Sequence, residues 1–433
     1  MEPAVLAVAV FAAVYAAIVS ERIERTAAAM AGGMLVILFS VERQDEAFRS
    51  IDLNTIGLLI GMMVLVSILR QTGVFRYVAI RLARLAGARP WRITLLFVLF
   101  TAVASAFLDN VTTVLLMLPI TLTIAEHLKI DPRPMLIAQI VASNVGGTAT
   151  LIGDPPNIII GSATGLTFAE FAGALVPAVV LILATMIAYQ WFTYGRKAPA
   201  GPGLAAIADL DERGAITNRP LLWKALAVTV LTLVGFVLHG ALHLEPATIA
   251  LSGATVLIVV GGISVNRALE EVEWDTIMFF AGLFVVVGAL EHVGVLDAVA
   301  RWAVSVTGGN VVLTVLAVLW LSALASAIVD NIPAVASLVP VVFAVARLTH
   351  PGVPDEALVR LPDILPVWWA LALGACLGGN GTLVGASANV VVAGAAARVG
   401  YPIGFWQFAR TGVPVTLLSL AIASVYLLVR YAL

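Results

Sequence analysis

Long apolar runs, each about as long as one membrane-crossing helix, constrain the fold of this chain more than any other feature. A helix needs roughly 20 apolar residues to cross the hydrocarbon core of a bilayer. Runs of this kind lie near residues 3–20, 26–42, 55–70, 171–193, 222–240, 246–262, 276–291 and 411–431. Of the 433 residues, 61% are hydrophobic and 12% are charged, whereas soluble domains carry about 25% charged residues. Lipid must therefore cover most of the surface, which predicts an all-α polytopic membrane protein.

Composition and motifs also exclude several partners and kinds of chemistry. The net charge of −2 provides no field that would attract nucleic acid. The single cysteine, Cys376, cannot form an internal disulfide; a small buried hydrophobe is its main interpretation, and a substrate ligand is the alternative. The sequence has no phosphate-binding loop, nucleophile elbow or zinc motif. We therefore expect a protein that is not an enzyme and that holds no cofactor or metal.

Four further apolar stretches are too long for a plain crossing. They span residues 92–126, 133–165, 311–348 and 363–397, and each would be about 50 Å long as one straight helix. Such a stretch is either a helical hairpin that enters and leaves the same face or a crossing that is broken in the middle.

The two halves of the chain repeat each other. Sliding the sequence by 221 positions places Asp109-Asn110 on Asp330-Asn331, and a shift of 232 places Gly146-Gly147 on Gly378-Gly379. Ordered matches through a whole half indicate a duplication. We predict a first repeat over residues 1–195, a cytoplasmic linker over 196–221 and a second repeat over 222–433. The Pro- and Gly-rich linker is interpreted as a plain tether.

The distribution of positive charge predicts how the repeats lie in the membrane. If 92–126 and 311–348 are re-entrant hairpins, each repeat has five crossings, and the second repeat is inverted relative to the first. This topology places 18 of the 24 Lys and Arg residues on one side, Arg25 and Arg213 among them. The basic side is the cytoplasm. We expect a multi-pass protein of the inner (plasma) membrane with both termini outside.

Residues 74–85 differ from the crossings because they are amphipathic. One helical face carries Val74, Phe75, Val78, Leu82 and Leu85. This pattern predicts a helix at the cytoplasmic interface. It is either an arm that joins a fixed unit to a moving one or a membrane anchor.

Two interruptions at membrane depth are the first candidate site. Glycines and prolines make a continuous helix costly over 146–157, and glycines do so over 378–389. Unwound backbone is tolerated at this depth only where it lines a cavity inside the protein, so its polar groups become candidate ligands. The candidate substrate-binding residues at the two breaks are Gly147, Thr148, Thr150, Asn157, Asn380, Thr382 and Asn389.

The middle of each predicted hairpin supplies the second candidate site. Asp109 and Asp330 fall at the two tips, followed by Asn110 and Asn331, with Thr112 close by. A charged, unpaired aspartate is costly at bilayer depth, so it can bind a proton and couple transport to it; it can also ligate Na⁺. The alternative is that each aspartate only caps the following helix. We predict Asp109 and Asp330 as proton-coupling residues, and Asn110, Thr112 and Asn331 as substrate-binding residues.

These motifs resemble the ArsB / P-protein branch of the ion transporter superfamily. The resemblance is carried by residues 109–113, 146–157 and 379–389 and extends over nearly the whole chain; the divalent anion/sodium symporters are more distantly similar. It implies an inverted-repeat fold with a scaffold and an elevator-like transport domain. A homodimer and a separate ATPase subunit are the protein partners to look for in such a family.

The leading functional hypothesis is proton-coupled efflux of arsenite or antimonite, small inorganic solutes. Arsenite is uncharged at neutral pH, and the predicted midplane offers amides and hydroxyls but no Arg or Lys. The alternatives are a Na⁺/H⁺ antiporter and a citrate or organic-anion transporter.

Overall fold

The computed structural model describes residues 2–20, 22–199, 203–212 and 214–431, and Arg213, counted above on the basic side, lies outside them. The first half of the chain forms ten α-helices. They are α1 (Pro3–Ser20), α2 (Arg25–Leu38), α3 (Gln44–Arg49), α4 (Leu53–Gln71), α5 (Val74–Leu85), α6 (Pro90–Ser105), α7 (Asn110–Leu128), α8 (Arg133–Gly147), α9 (Pro155–Thr164) and α10 (Phe168–Thr193).

The second half repeats this order. Its helices are α11 (Arg219–Leu242), α12 (Pro246–Gly261), α13 (Val265–Glu270), α14 (Trp274–His292), α15 (Val295–Thr307), α16 (Val311–Val329), α17 (Asn331–Thr349), α18 (Asp355–Leu358), α19 (Leu365–Gly378), α20 (Ser387–Arg398) and α21 (Phe405–Arg430). Within the described residues, 9 helices are long and apolar enough to cross a membrane. The division at residues 195 and 222 stays a prediction; α10 ends before this linker and α11 begins inside its predicted range.

The four overlong stretches are two hairpins and two broken crossings. Helices α6 and α7 form the first hairpin and α16 and α17 the second, while α8–α9 and α19–α20 are the broken crossings. The predicted inverted repeat of five crossings and one re-entrant hairpin is therefore confirmed. Below, α2, α4, α12 and α14 are called the crossing helices, and α6–α9, α16, α17, α19 and α20 are called the hairpin unit.

The crossing helices pair between the repeats through small residues. Helix α4 packs on α12, and α2 packs on α14. A Cβ added to Gly61 would lie 2.6 Å from the Ala250 carbonyl carbon, and one added to Gly282 would lie 2.6 Å from that of Ala29. The 221-residue shift relates these two contacts. Small residues let the backbones approach closely, which is how helices associate within lipid.

Hydroxyl bonds hold each hairpin against the broken crossing of its own repeat. Ser105 Oγ in α6 donates to the Ser143 carbonyl in α8 at 2.7 Å. Ser326 Oγ in α16 donates to the Ala375 carbonyl in α19 at 2.6 Å. The repeat equivalence therefore extends from the helix order to individual hydrogen bonds.

The linker is packed against the first repeat, so its interpretation as a plain tether is wrong. Ile207 is 1% exposed and Leu210 is 8% exposed, in an apolar cluster with residues of α5, α6, α7 and α8. The Glu212 carboxylate lies 3.3 Å from Arg81 and 3.2 Å from Arg84 of α5. Ile207 and Leu210 are apolar residues within this polar stretch, and they were the sequence signal for packing. The Pro and Gly content of the linker favoured the tether interpretation instead.

Helix α5 has the predicted bounds. It packs a different face on the protein and leaves part of the predicted apolar face exposed, which is the face that an interfacial helix presents to lipid. Its buried residues are Phe75, Ala79, Ile80 and Ala83, and Leu85, expected on the apolar face, is 66% exposed. The two alanines leave room for α7, which packs against α5. Whether α5 acts as an arm or as an anchor stays a prediction.

Candidate solute-binding site

One asparagine closes each break. Helix α8 ends at Gly147 and α9 begins at Pro155, within the interruption predicted over 146–157. Between them, Asn157 Nδ2 donates to the Thr148 and Thr150 carbonyls at 3.1 and 2.9 Å. Asn389 Nδ2 likewise donates to two carbonyls of the second break, at 2.8 and 2.9 Å. These bonds satisfy backbone groups that unwinding leaves free in a buried place.

Hydroxyl groups fasten each break to the neighbouring hairpin. Thr150 Oγ1 donates to the Ala106 carbonyl, and Thr382 Oγ1 donates to the Ala327 carbonyl at 2.5 Å. A Cβ added to Gly147 would lie 2.5 Å from the returning backbone. Thr148 Oγ1 donates to the Asn144 carbonyl within α8, so the predicted residues Gly147, Thr148, Thr150 and Thr382 all support the breaks. None of them lines the cavity described below, and their contact with solute stays a prediction.

Both predicted aspartates cap helices at the hairpin tips. Asp109 Oδ1 accepts from the Thr112 N–H at 2.8 Å, at the start of α7. Asp330 Oδ1 accepts a backbone N–H at 3.3 Å, at the start of α17. The Asp330 backbone has φ +108°, which is rare for a residue with a side chain. Both residues therefore cap a helix, whereas the alternative that they do nothing else stays untested; capping leaves one oxygen of each carboxylate for other partners.

Four buried amides connect the first tip to the second break. Asn110 Nδ2 donates to Asn144 Oδ1 at 3.0 Å. Asn144 Nδ2 donates to the Oδ1 atoms of Asn380 and Asn389 at 2.9 and 3.0 Å. The predicted residues Asn110, Asn380 and Asn389 are thus brought together. Asn144 was not predicted, although a buried amide half a turn before the Gly-Gly pair was the available signal.

A third acid lies at the same meeting point. Asp154 is 0% exposed, and its Oδ1 accepts from Asn331 Nδ2 of the second tip at 3.0 Å. Its Oδ2 has no hydrogen-bond partner among the described residues. Cys376 lies beside this group, with Sγ 3.5 Å from Asn157 Oδ1. The argument that selected the two tip aspartates applies equally to Asp154, which the sequence interpretation left out of its site.

A cavity of about 240 Å³ opens beside these groups, between the tips, the first break, α4 and the first turns of α2 and α14. Its charged and amide side chains are Arg25, Asp109, Asn110, Asp154, Glu273, Asp275 and Asn331. A second cavity, of about 350 Å³, holds Asp330 and shares Arg25 and Ser387 with the first. Acidic groups outnumber the single cation, so the combined space favours protons, cations or neutral solutes over multiply charged anions.

Arg25 overturns the expectation that no basic side chain reaches the site. Its Nη1 lies 3.3 Å from Asp330 Oδ2 and also donates to Ser387 Oγ. Ser387 Oγ in turn donates to the same Asp330 oxygen at 2.7 Å. The Arg25 guanidinium carbon lies 5.3 Å from the Phe279 ring centroid. Arg25 is the first residue of helix α2 and not part of a loop.

Comparisons with known proteins agree with this architecture. The family model described as Citrate transporter (CitMHS) matches residues 15–374. An uncharacterized transporter of Mycobacterium bovis is 47% identical over 431 residues, covering 99% of this chain and 98% of the relative. The P protein of Homo sapiens is 34% identical over 509 residues, covering 98% of this chain and 60% of that protein.

A solved structure has the same fold. The crystal structure of the Alcanivorax borkumensis YdaH transporter aligns with a TM-score of 0.59 at 16% identity, covering 92% of this chain and 89% of that chain. The predicted resemblance to the ArsB / P-protein branch is confirmed by the relation to the P protein. The chain therefore belongs to the citrate transporter family of the ion transporter superfamily, and it is a multi-pass membrane transporter.

Proposed function

We propose that this transporter couples proton movement to the export of a small polar solute. The observation that carries the proposal is the cluster formed by half-buried Asp109 with buried Asp154 and Asp330, where both tips meet the breaks. A buried carboxylate can be neutral in one conformation and charged in another, which is what proton coupling requires. The hairpin unit would move past the crossing helices as an elevator, carrying the solute with it.

Arsenite or antimonite is the solute that best suits this cavity. Both are neutral trihydroxides at neutral pH, so the excess of carboxylates does not repel them. Their hydroxyls can donate to carboxylate oxygens such as Asp154 Oδ2, which lacks a partner among the described residues. Their oxygens can also accept from the Asn110 and Asn331 amides on the cavity wall.

Vesicle transport tests the proton coupling. Purified protein in liposomes with an imposed pH gradient should move arsenite, and Asp109→Asn and Asp330→Asn should each reduce the rate by about tenfold or more, a barrier change of about 1.4 kcal/mol. Asp297→Asn is the matched control, because Asp297 is exposed on α15, away from the site. Full pH-driven transport by both tip variants would show that the tips do not carry the coupling.

A resistance assay tests the solute. In an arsenite-sensitive host without its own pump, the wild-type chain should restore growth on arsenite, and the Asp109→Asn/Asp330→Asn variant should not. Equal growth of wild-type and empty-vector cells would reject arsenite as the substrate.

An organic anion is the second candidate because Arg25 lines both cavities and the matching family model is described as Citrate transporter. A guanidinium can pair with a carboxylate in two parallel hydrogen bonds. Citrate uptake by wild-type vesicles, absent in vesicles without protein, would favour this candidate. In the same vesicles, Na⁺-dependent relief of a pH gradient would instead favour Na⁺/H⁺ exchange.

A further inference from the structure

We propose that Arg25 is a fixed counter-ion that keeps Asp330 ionised in the present conformation and gives it up when the hairpin unit moves. The inference rests on the proposed function and deepens it. It makes the charge of one tip depend on the position of the hairpin unit.

Arg25 and Asp330 belong to different parts of the molecule. Arg25 begins α2, whose Ala29 backbone lies against Gly282 of α14 without room for a side chain between them. This contact fixes Arg25 relative to the crossing helices. Asp330 lies at the tip of the second hairpin, between α16 and α17. The ion pair therefore joins the crossing helices to the hairpin unit, and a sliding movement between the two must break it.

Apart from Arg25, the described residues that line the two cavities are acidic, polar or apolar. Glu24 from the segment before α2 lines the cavity around Asp330, and Ser387 of α20 lines both cavities. Phe279 of α14 lies beside Asp330, and Asp275 of α14 and the preceding Glu273 line the adjoining cavity. The hairpin unit adds Asp109 and Asp154 to that cavity. Among the described residues that line either space, Arg25 is the one cationic side chain.

Separation from Arg25 therefore changes which form of Asp330 is stable. An opposite charge at this distance favours the ionised carboxylate, and burial without one favours the protonated acid. On leaving Arg25, the Asp330 carboxylate binds one proton and becomes neutral. On returning, it releases that proton and pairs with the guanidinium again. Proton binding and the position of the tip thus become one event.

Labelling of a cysteine near the tip tests this without knowledge of the solute. Val384 lines the cavity that holds Asp330, so Val384→Cys in a Cys376→Ala background reports how open that cavity is. The probe is a membrane-impermeant maleimide, applied to the full chain in lipid nanodiscs over a range of pH. Because maleimides react with the thiolate, each labelling rate is divided by that of a free thiol at the same pH. With Asp330 ionised and paired, labelling should be slow; as pH falls and the pair is lost, it should become faster.

The variants give separate expectations. Arg25→Gln should raise the pH of half-maximal labelling by about 1 to 3 units, the effect of removing an adjacent opposite charge. In the Asp330→Asn variant, labelling should be fast at every pH. Adding Arg25→Gln to that variant should not change its labelling rate. Arg22→Gln, an exposed neighbour on the same segment, should leave the wild-type midpoint unchanged. Arg25→Lys should shift the midpoint less than Arg25→Gln, which provides a second test if the glutamine variant does not fold.

An unchanged midpoint in a folded Arg25→Gln variant would overturn the inference, as would labelling of the wild type that does not depend on pH. Vesicle transport tests the proposed function, and nanodisc labelling tests the counter-ion, so each proposal can be rejected without the other. Loss of pH-driven transport with the labelling pattern intact would reject the proposed function and retain the counter-ion, and the converse result would reject only the counter-ion.

Discussion

Asn144 is the residue through which the two repeats are joined at the site. Its amide accepts from the first hairpin tip and donates twice to the second broken crossing. Each of these partners is buried, so none can turn to bulk water when the link is removed. An unpaired buried amide costs about 1–3 kcal/mol.

We therefore predict that Asn144→Ala lowers transport by about tenfold or more and also lowers the melting temperature, because the partner amides of Asn110, Asn380 and Asn389 lose bonds. Ser143→Ala is the matched control. Ser143 is buried one position earlier, and among the described residues its hydroxyl bonds to the Ile140 carbonyl of its own helix. Vesicle transport and thermal unfolding in detergent measure both effects. Asn144→Ala with transport equal to that of Ser143→Ala would contradict this role.

Sequence reasoning found the acids at the tips but not the cation that faces one of them. Asp109 and Asp330 could be located because each interrupts an apolar stretch at its centre. Arg25 could not, because it follows an apolar run and was counted with the loop residues. Its depth depends on where α2 begins, and helix ends are set by packing and capping more than by composition. Asp154 could have been predicted as well, because it too is an acid inside an apolar stretch.

At the scale of elements, crossing helices from different repeats meet at close backbone contacts. Gly61 meets Ala250, and its repeat equivalent Gly282 meets Ala29, with no space for a methyl group at either contact. In lipid the hydrophobic effect does not drive helices together, so close packing of this kind contributes a large share of their association.

Gly61→Ala and Gly282→Ala should each destabilise the protein by about 1–3 kcal/mol, the usual cost of overpacking. Gly173→Ala is the control, since Gly173 lies within α10 and a Cβ there meets nothing within 4 Å. That change should be neutral or stabilising by up to about 1 kcal/mol, because alanine favours the helix. Thermal unfolding of the three variants in one detergent makes the comparison. Equal melting temperatures would show that the crossing tolerates a wider spacing than the structure has.

The elements themselves were largely predictable, and the surfaces they bury were less so. The hairpins and breaks follow from length and from Gly, Pro and Asp positions, since a bilayer permits few alternatives. The face of α5 that is buried in the protein depends on which helix packs against it. Ala79 and Ala83 admit α7, and no pattern local to residues 74–85 specifies that partner.

Across the whole molecule, the contacts that support the breaks are the same in both repeats, whereas the side chains at the site differ between the repeats. The hydroxyl bonds of Thr150 and Thr382 are equivalent under the shifts of 232 and 221 positions. At the site, the repeat equivalents of Asn144 and Asp154 are Cys376 and Ala386. The repeated backbone contacts are therefore symmetric, but the polar side chains that they position are not. The two hairpin tips can respond differently to the same movement only if their surroundings differ in this way.

The linker adds a further asymmetry, because its buried residues Ile207 and Leu210 pack among apolar residues of the first repeat. The apolar contacts of Ile207 should outweigh the ion pairs of Glu212. Truncation of a buried isoleucine costs about 2–5 kcal/mol, whereas exposed ion pairs contribute roughly 0.2–1 kcal/mol, and the partners Arg81 and Arg84 are both more than one-third exposed. We predict that Ile207→Ala lowers the melting temperature more than Glu212→Gln does, while Asp209→Ala, at an exposed position, changes it little. Thermal unfolding of the full chain measures the order. A larger loss for Glu212→Gln would mean that charge, and not apolar packing, holds the junction between the repeats on α5 and the first hairpin.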